Sequence, residues 1–170
     1  MRAVAQQLWL LRHGEAEPHD ARPDAERRLT ERGERQSAAA GGALAALAVT
    51  FQAVFTSPKV RARDTARLAV AALSPGVEAT EHAGLAQDFR SRDALELAAA
   101  GDRVLLVGHE PDFGQVVNDL TGARVDFKKG GVAGIRLRGT GGGELVVLLR
   151  PRELDRIAGT ATPARRHAAP

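Results

Sequence analysis

The chain contains no cysteine among its 170 residues. This excludes a disulfide-stabilised scaffold, a thiolate metal site and every enzyme that attacks through a cysteine nucleophile. Aromatic residues make up only 4% of the sequence, and the arginines are scattered among 21 acidic residues rather than clustered with rings that stack on bases. We therefore expect no nucleic-acid partner.

Long hydrophobic runs are also missing. No segment approaches the roughly 20 apolar residues of a membrane-spanning helix. Gln6 and Gln7 interrupt the amino-terminal stretch where a secretory signal would be apolar throughout. We expect a cytoplasmic protein with no membrane partner, and a monomer, because the sequence shows no long exposed apolar stripe.

Short apolar runs that alternate with helical patterns are what the chain does contain. They predict strands over 7–12, 52–56, 77–80, 103–108, 131–138 and 144–150, and helices over 30–48, 58–73, 91–100 and 111–121. This alternation is typical of an α/β protein whose mostly parallel sheet is covered by helices on both faces. The short glycine-rich connection between the last two strands predicts a hairpin, so at least one strand should be antiparallel.

The length of 170 residues, with a mass of 18.0 kDa, suits one compact domain. We assign residues 1–158 to that domain. From Gly159 onward, small residues, prolines and basic residues follow one another without apolar periodicity, which predicts a disordered tail over 159–170. The segment 16–28, rich in proline, aspartate and arginine, is expected to form a loop near the functional site. His19 in this loop is expected at the surface.

Basic and imidazole side chains follow three of the predicted strands where each strand ends. Arg12 and His13 follow the first strand, Arg61 lies four residues after Ser57 at the end of the second, and His109 follows the strand over 103–108. If these strands are neighbours in a parallel sheet, their carboxyl ends bring the side chains to one pocket. Two imidazoles and two guanidiniums suit a phosphoryl group, because guanidinium binds its oxygens in a bidentate manner.

His13 is the predicted nucleophile, because a neutral imidazole with an ordinary pKa near 6.5 offers a lone pair at physiological pH. Arg12, Arg61 and His109 are predicted to bind the phosphoryl oxygens, since phosphoryl transfer depends on positioning and electrostatic stabilisation. Ser57 is a further candidate for substrate binding. A lone histidine or arginine at a strand end is usually structural, so the prediction rests on the combination. The sequence carries no metal-binding motif, and we expect neither a metal nor a cofactor.

Four separated motifs resemble the histidine phosphatase superfamily in order, spacing and context. They are Leu11-Arg12-His13-Gly14-Glu15-Ala16, which contains an Arg-His-Gly (RHG) motif, Leu29-Thr30-Glu31-Arg32-Gly33, Thr56-Ser57-Pro58-Lys59-Val60-Arg61-Ala62 and Val107-Gly108-His109-Glu110-Pro111. The short length and the ending are similar to the small SixA-type phosphohistidine phosphatases, and the resemblance covers about residues 7–155. It implies a three-layer α/β/α sandwich, a phosphohistidine intermediate on His13, and a metal-independent phosphate pocket of Arg12, Arg61 and His109.

One stretch departs from the pattern of the superfamily. Larger members, which act on phosphate esters, carry an acidic proton donor in a Leu-x-Glu setting, and here the stretch reads Gly84-Leu85-Ala86-Gln87-Asp88-Phe89. A positioned general acid is worth about 100 to 10,000-fold, and the imidazole that leaves from phosphohistidine needs it less than an alkoxide does. A histidine-phosphorylated protein is therefore the predicted substrate. Asp88 and Glu15 stay open as donors, and a phosphatase for small phosphate esters or a non-catalytic phosphate-binding module stay open as alternatives.

Overall fold

A computed structural model of the chain describes residues 5–73 and 76–161. Within them, the strands are β1 (Gln7–Arg12), β2 (Ala53–Thr56), β3 (Ala79–Glu81), β4 (Arg103–Gly108), β5 (Val132–Leu137) and β6 (Gly143–Leu149). The helices are α1 (Glu31–Ala46), α2 (Val60–Ala72), α3 (Ser91–Ala98), α4 (Asp112–Thr121) and α5 (Pro151–Ala161). No helix in this part of the chain has the length and apolar character needed to span a membrane.

The strands form one sheet with the order β3-β2-β4-β1-β5-β6. Strands β1, β2, β3 and β4 are parallel to their neighbours in this group, whereas β5 is antiparallel to both β1 and β6. The predicted hairpin is β5 and β6. The expectation of a mostly parallel sheet with at least one antiparallel strand is confirmed.

Helices cover both faces of the sheet, and β1 contacts both layers because successive strand residues point to opposite faces. Leu8 and Leu10 belong to the core that also holds the buried side chains of α3 and α4. Trp9 and Leu11 belong to the core that holds those of α1, α2 and α5. Burial on both faces explains why β1 reads as a continuous apolar run. The three-layer α/β/α sandwich is confirmed.

Helix α5 was not expected from the sequence. It packs on α1, and its Leu154 is completely buried in the core that also holds the buried side chains of α1 and α2. It extends to Ala161 and so includes the first residues of the predicted tail, which begins at Gly159. Residues 162–170, where the rest of that prediction falls, lie outside the described residues.

Candidate active site

Three neighbouring strands bring the predicted site residues to one edge of the sheet. Strand β4 lies between β2 and β1, and all three are parallel, so their carboxyl ends meet. Just beyond the strands, the His13 N–H donates to Gly108 O at 3.0 Å and the Ser57 N–H donates to Val107 O at 3.0 Å. The expectation that these strands are neighbours is confirmed.

The turn after His13 is fixed by close packing against α1 and α2. A Cβ on Gly14 would lie 2.5 Å from the carbonyl oxygen of Gly33, so the turn has no room for a side chain there. The Gly14 N–H donates to Thr65 Oγ1 at 3.1 Å, and that hydroxyl donates to Arg61 O at 2.7 Å. One buried threonine therefore connects the loop that carries His13 to the helical turn that carries Arg61.

A pocket of about 160 Å³ lies at this edge of the sheet. Its lining residues are Arg12, His13, His19, Arg27, Arg61, His109, Glu110 and Lys129. The structure thus brings together the predicted nucleophile and the three predicted phosphate ligands. His19 is exposed, as expected, yet it lines the pocket as well.

His13 is a neutral imidazole whose lone pair is on Nε2. Its Nδ1 lies 2.7 Å from the carbonyl oxygen of Gly14, which can only accept, so Nδ1 carries the proton. Arg61 Nε donates to Nε2 at 3.3 Å. Burial, joined by the neighbouring His109 and Arg61, lowers the pKa of His13 to about 2, although the Gly14 hydrogen bond opposes the shift. The ring therefore keeps its lone pair at neutral pH.

His109 faces the nucleophile, with 5.1 Å between the two ring centroids. Its Nε2 lies 2.7 Å from Ser57 Oγ, and the Lys59 N–H donates to the same oxygen at 3.2 Å. The Ser57 hydroxyl can either donate to Nε2 or accept from it, so this contact orients the ring and leaves the position of its proton open. Burial, together with the charge of Arg61, lowers the pKa of His109 to about 3, so this ring is neutral too.

Two buried side-chain nitrogens of the pocket have no hydrogen-bond partner among the described residues. They are Arg12 Nε and His109 Nδ1. Arg12 is held by a bond from Nη1 to Phe127 O at 2.6 Å, which leaves the rest of its guanidinium for other acceptors. Buried donors are normally paired, so unpaired ones beside a nucleophilic lone pair indicate a site for an anionic acceptor.

Ser57, by contrast, contacts His109 rather than the pocket, and its contact with a substrate stays a prediction.

Sequence reasoning missed Asp24. Arg61 Nη1 donates to Asp24 O at 2.6 Å, and Arg61 Nη2 lies 3.2 Å from Asp24 Oδ1. Lys59 Nζ lies 2.8 Å from Asp24 Oδ2. These hydrogen bonds and charges, that of Lys59 foremost, hold the pKa of Asp24 well below its usual range. Asp24 is therefore an ionised anchor that orients Arg61.

Arg27 is a second residue of this loop that the sequence did not single out. It is 3% exposed and lines the pocket. Its Nε donates to Glu17 O at 2.9 Å, and its Nη1 donates to Nδ1 of His19 at 2.8 Å. The only signal in the sequence was the position of the aperiodic segment 16–28 between the RHG motif and α1.

Glu110 places a carboxyl group in the pocket, next to Arg12. Burial raises its pKa, although Oε1 accepts a hydrogen bond from Gly114 N at 2.6 Å. Asp88 and Glu15, the two candidate proton donors that the sequence left open, do not line this pocket. Asp88 is exposed outside the pocket lining, and Glu15 bonds to Thr30 and lines an adjoining groove instead.

A family model described as the histidine phosphatase superfamily (branch 1) matches residues 8–93. The chain belongs to the histidine phosphatase superfamily. The matched segment includes Arg12, His13 and Arg61 and ends before His109. An uncharacterized protein from Picosynechococcus is 33% identical over an alignment of 145 positions, and the match covers 76% of this chain and 84% of that protein.

Solved structures share the fold of this histidine phosphatase superfamily member. The protein histidine phosphatase SixA, complexed with tungstate, matches with a TM-score of 0.79 and 24% identity over 88% of this chain and 99% of that chain. A mutant phosphoserine phosphatase from Entamoeba histolytica, complexed with phosphoserine, matches with a TM-score of 0.71 and 14% identity over 88% of this chain and 99% of that one. At these identities the similarity establishes the fold.

Proposed function

We propose that the protein is a phosphatase that removes the phosphoryl group from phosphohistidine on a protein, through a covalent intermediate on His13. One observation carries the proposal. The lone pair of His13 Nε2 lies in a pocket where Arg12 Nε and His109 Nδ1, among the described residues, have no acceptor. Membership of the histidine phosphatase superfamily supports phosphatase activity.

In the first step, His13 Nε2 attacks the phosphorus. The bond between phosphorus and His13 forms as the bond to the substrate imidazole breaks, and the leaving nitrogen keeps the electron pair. Arg61 Nε, which donates to Nε2 before the reaction, then donates to a phosphoryl oxygen. Arg12 and His109 Nδ1 supply further donors to the three equatorial oxygens, where the charge of the transition state is spread.

In the second step, water attacks the phosphorus of the phosphorylated His13. The bond from phosphorus to Nε2 breaks, inorganic phosphate leaves, and the lone pair returns to Nε2. The Gly14 carbonyl keeps the ring proton on Nδ1 throughout, so the same nitrogen is both nucleophile and leaving group. The mechanism needs no metal, because Arg12 and Arg61 already balance the charge of the phosphoryl oxygens.

The leaving group favours an N–P substrate. An imidazole is far less basic than a sugar or serine alkoxide, so it leaves without a dedicated general acid. The stretch that holds a glutamate in the ester-cleaving members of the superfamily reads Leu85-Ala86-Gln87 here, and Asp88 is exposed. That a structurally similar protein is a protein histidine phosphatase supports the same substrate class.

The test is phosphate release from a histidine-phosphorylated carrier protein, p-nitrophenyl phosphate and a sugar phosphate. We expect rapid release from the phosphoprotein alone, complete loss in His13→Ala, and no effect of a chelator. His82→Ala is the matched control, because His82 packs edge-on against Phe55 and does not line the pocket. Turnover that survives in His13→Ala would contradict the covalent mechanism on His13, whereas a folded wild type that releases no phosphate from any of the three substrates would favour the non-catalytic binding module.

Hydrolysis of small phosphate esters is the second candidate function, and Glu110 is the observation that favours it. A half-buried carboxyl group with a raised pKa lines the pocket, where it could protonate an alkoxide. Faster release from the esters than from the phosphoprotein would make this the leading function. A cytoplasmic location and a monomeric state stay predictions.

A further inference from the structure

A second cavity, of about 520 Å³, adjoins the catalytic pocket, and Arg12 and Lys129 line both. We call it the basic groove. Its lining residues are Arg12, Glu15, Arg32, Gln36, Lys128, Lys129, Arg150, Pro151 and Arg152. Six of these side chains are cationic and one is a carboxylate. The chain as a whole has a formal net charge of +3, so positive charge is concentrated beside the site.

The cations of the basic groove come from separate parts of the fold. They lie at the end of β1, in the first turn of α1, in the segment before β5, and at the start of α5. A further cavity shares Arg32 and Arg152 with the groove and adds Arg35 and one acid, Asp155, so a surface with an excess of cations continues between α1 and α5. The basic groove and this neighbouring cavity together are thus far more extended than a pocket for one phosphoryl group.

The ion pairs of these cations lie at the exposed surface, including those of Arg150 and Arg152 with Glu153, at 3.0 and 3.9 Å. Arg32 Nη1 lies 3.2 Å from Glu15 Oε2, and Lys128 Nζ lies 2.7 Å from Asp126 Oδ2, but more than half of each cationic side chain is exposed. Exposed ion pairs contribute little and exchange partners readily. Lys129, which lies between the groove and the pocket, has no ion pair with any described residue. The groove therefore keeps positive charge for an anionic partner.

We propose that the basic groove binds an acidic surface of the phosphorylated protein, next to the histidine that carries the phosphoryl group. The inference rests on the proposed function. A pocket of about 160 Å³ takes the phosphoryl group, and the protein around the phosphohistidine must lie outside it, where the groove begins. Opposite charges at such an interface increase the rate of association and exclude partners with a basic surface.

The experiment compares two substrates and two variants. The substrates are a histidine-phosphorylated phosphotransfer domain of negative net charge and free phosphohistidine. The test variant combines Lys128→Glu with Arg152→Glu, since neither residue lines the catalytic pocket. The control combines Arg67→Glu with Arg92→Glu, which makes the same charge change at exposed arginines of α2 and α3 outside the groove. A titration of each variant with the unphosphorylated domain gives a binding constant that is independent of turnover.

We expect kcat/KM of the test variant for the phosphorylated domain to fall about tenfold, through KM, and more at low salt than at high salt. Binding of the unphosphorylated domain should weaken by a similar factor, while free phosphohistidine and the control variant should behave as in the wild type. An unchanged binding constant for the unphosphorylated domain would overturn the proposal that the groove binds the protein. Equal losses of kcat/KM on both substrates would overturn it as well. If the wild type releases no phosphate from the phosphorylated domain, the proposed function fails, and the binding constant of the unphosphorylated domain still tests the groove.

Discussion

His13 and His109 are the same residue type, similarly buried in one pocket, yet their different hydrogen-bond partners suit them to the opposite roles proposed above. The Gly14 carbonyl fixes the proton of His13 on Nδ1 and leaves a nucleophilic lone pair on Nε2. The Ser57 hydroxyl meets His109 at Nε2 and leaves Nδ1 without a partner among the described residues, where the proposed function requires an N–H for the substrate. The partner of the second ring nitrogen, rather than the imidazole itself, sets each role.

Replacing Ser57 with alanine tests this view. Ser57→Ala removes the hydroxyl that orients His109, and a hydrogen bond of this kind contributes about 1 to 1.5 kcal/mol. We expect kcat/KM for a phosphohistidine substrate to fall about tenfold. The thermal midpoint of each variant shows whether the fold is intact. Normal kinetics in a folded Ser57→Ala protein would mean that Ser57 has no part in orienting the ring.

Glu110→Gln tests which carboxyl can act as a general acid. Glutamine keeps the shape of the side chain and removes its proton, so hydrolysis of a sugar phosphate should fall about 100-fold or more. Hydrolysis of phosphohistidine should change less than about threefold, because its leaving group needs no acid. Asp88→Asn is the control, since Asp88 has a φ of 56° and asparagine tolerates that backbone conformation. A larger loss in Asp88→Asn than in Glu110→Gln would reverse the assignment.

The convergence of the site residues could be predicted from the sequence only where a strand end determined it. Arg12, His13 and His109 directly follow buried strands, so the parallel order of the sheet brings them together. Asp24 and Arg27 lie in an aperiodic loop, and their contacts depend on how that loop folds back over α2. The spacing of residues in the sequence does not indicate the path of such a loop.

At the level of elements, the apolar runs predicted all six described strands to within a few residues. Burial on both faces gives β1 and β4 a continuous apolar signal, whereas β3 and β6 contain no buried residue, and the pairing of β6 with β5 was predicted from their short glycine-rich connection. The sequence patterns did not predict helix α5. Its 11 residues expose charged side chains around a narrow apolar stripe that includes Leu154 and Ile157. In the sequence, an apolar stripe this short does not distinguish a helix from a solvent-exposed segment. The packing of α5 on α1 stabilises the helix in the folded protein.

Truncation of Leu154 measures what α5 contributes. This side chain is 0% exposed in the core between the sheet and the helices. Leu154→Ala should lower the free energy of unfolding by about 2 to 5 kcal/mol through lost burial and a cavity. Arg156→Ala, at an exposed position of the same helix, should change it by less than about 0.5 kcal/mol. Urea unfolding compares the two, and equal effects would mean that α5 is not part of the cooperative core.

For the whole molecule, positive charge is unevenly distributed. In the catalytic pocket, the buried Arg27 and Arg61 pair with Asp24, and Arg12 donates to Phe127 O, whereas Arg32 and Lys128 of the basic groove are paired at the exposed surface. The buried set holds a rigid geometry for a phosphoryl group, and the exposed set can rearrange around a partner. The distinction explains why a charge reversal in the groove is expected to affect association and leave the chemistry unchanged.

The two buried histidines also make global stability depend on pH. Burial lowers the pKa of His13 to about 2 and that of His109 to about 3, from an ordinary value of 6.5. Below pH 6.5 the unfolded chain therefore binds two protons that the folded protein excludes. The stabilising contribution is complete above pH 6.5 and is lost as the pH falls toward the folded pKa values.

Each histidine should cost about 1.4 kcal/mol of unfolding free energy per pH unit in this window. Urea unfolding between about pH 7 and pH 5 measures the slope, and His13→Ala should keep about half of it. A free energy of unfolding that stays constant over this range would mean that the folded protein takes up protons at the pocket, and the neutral His13 nucleophile would then lose its physical basis.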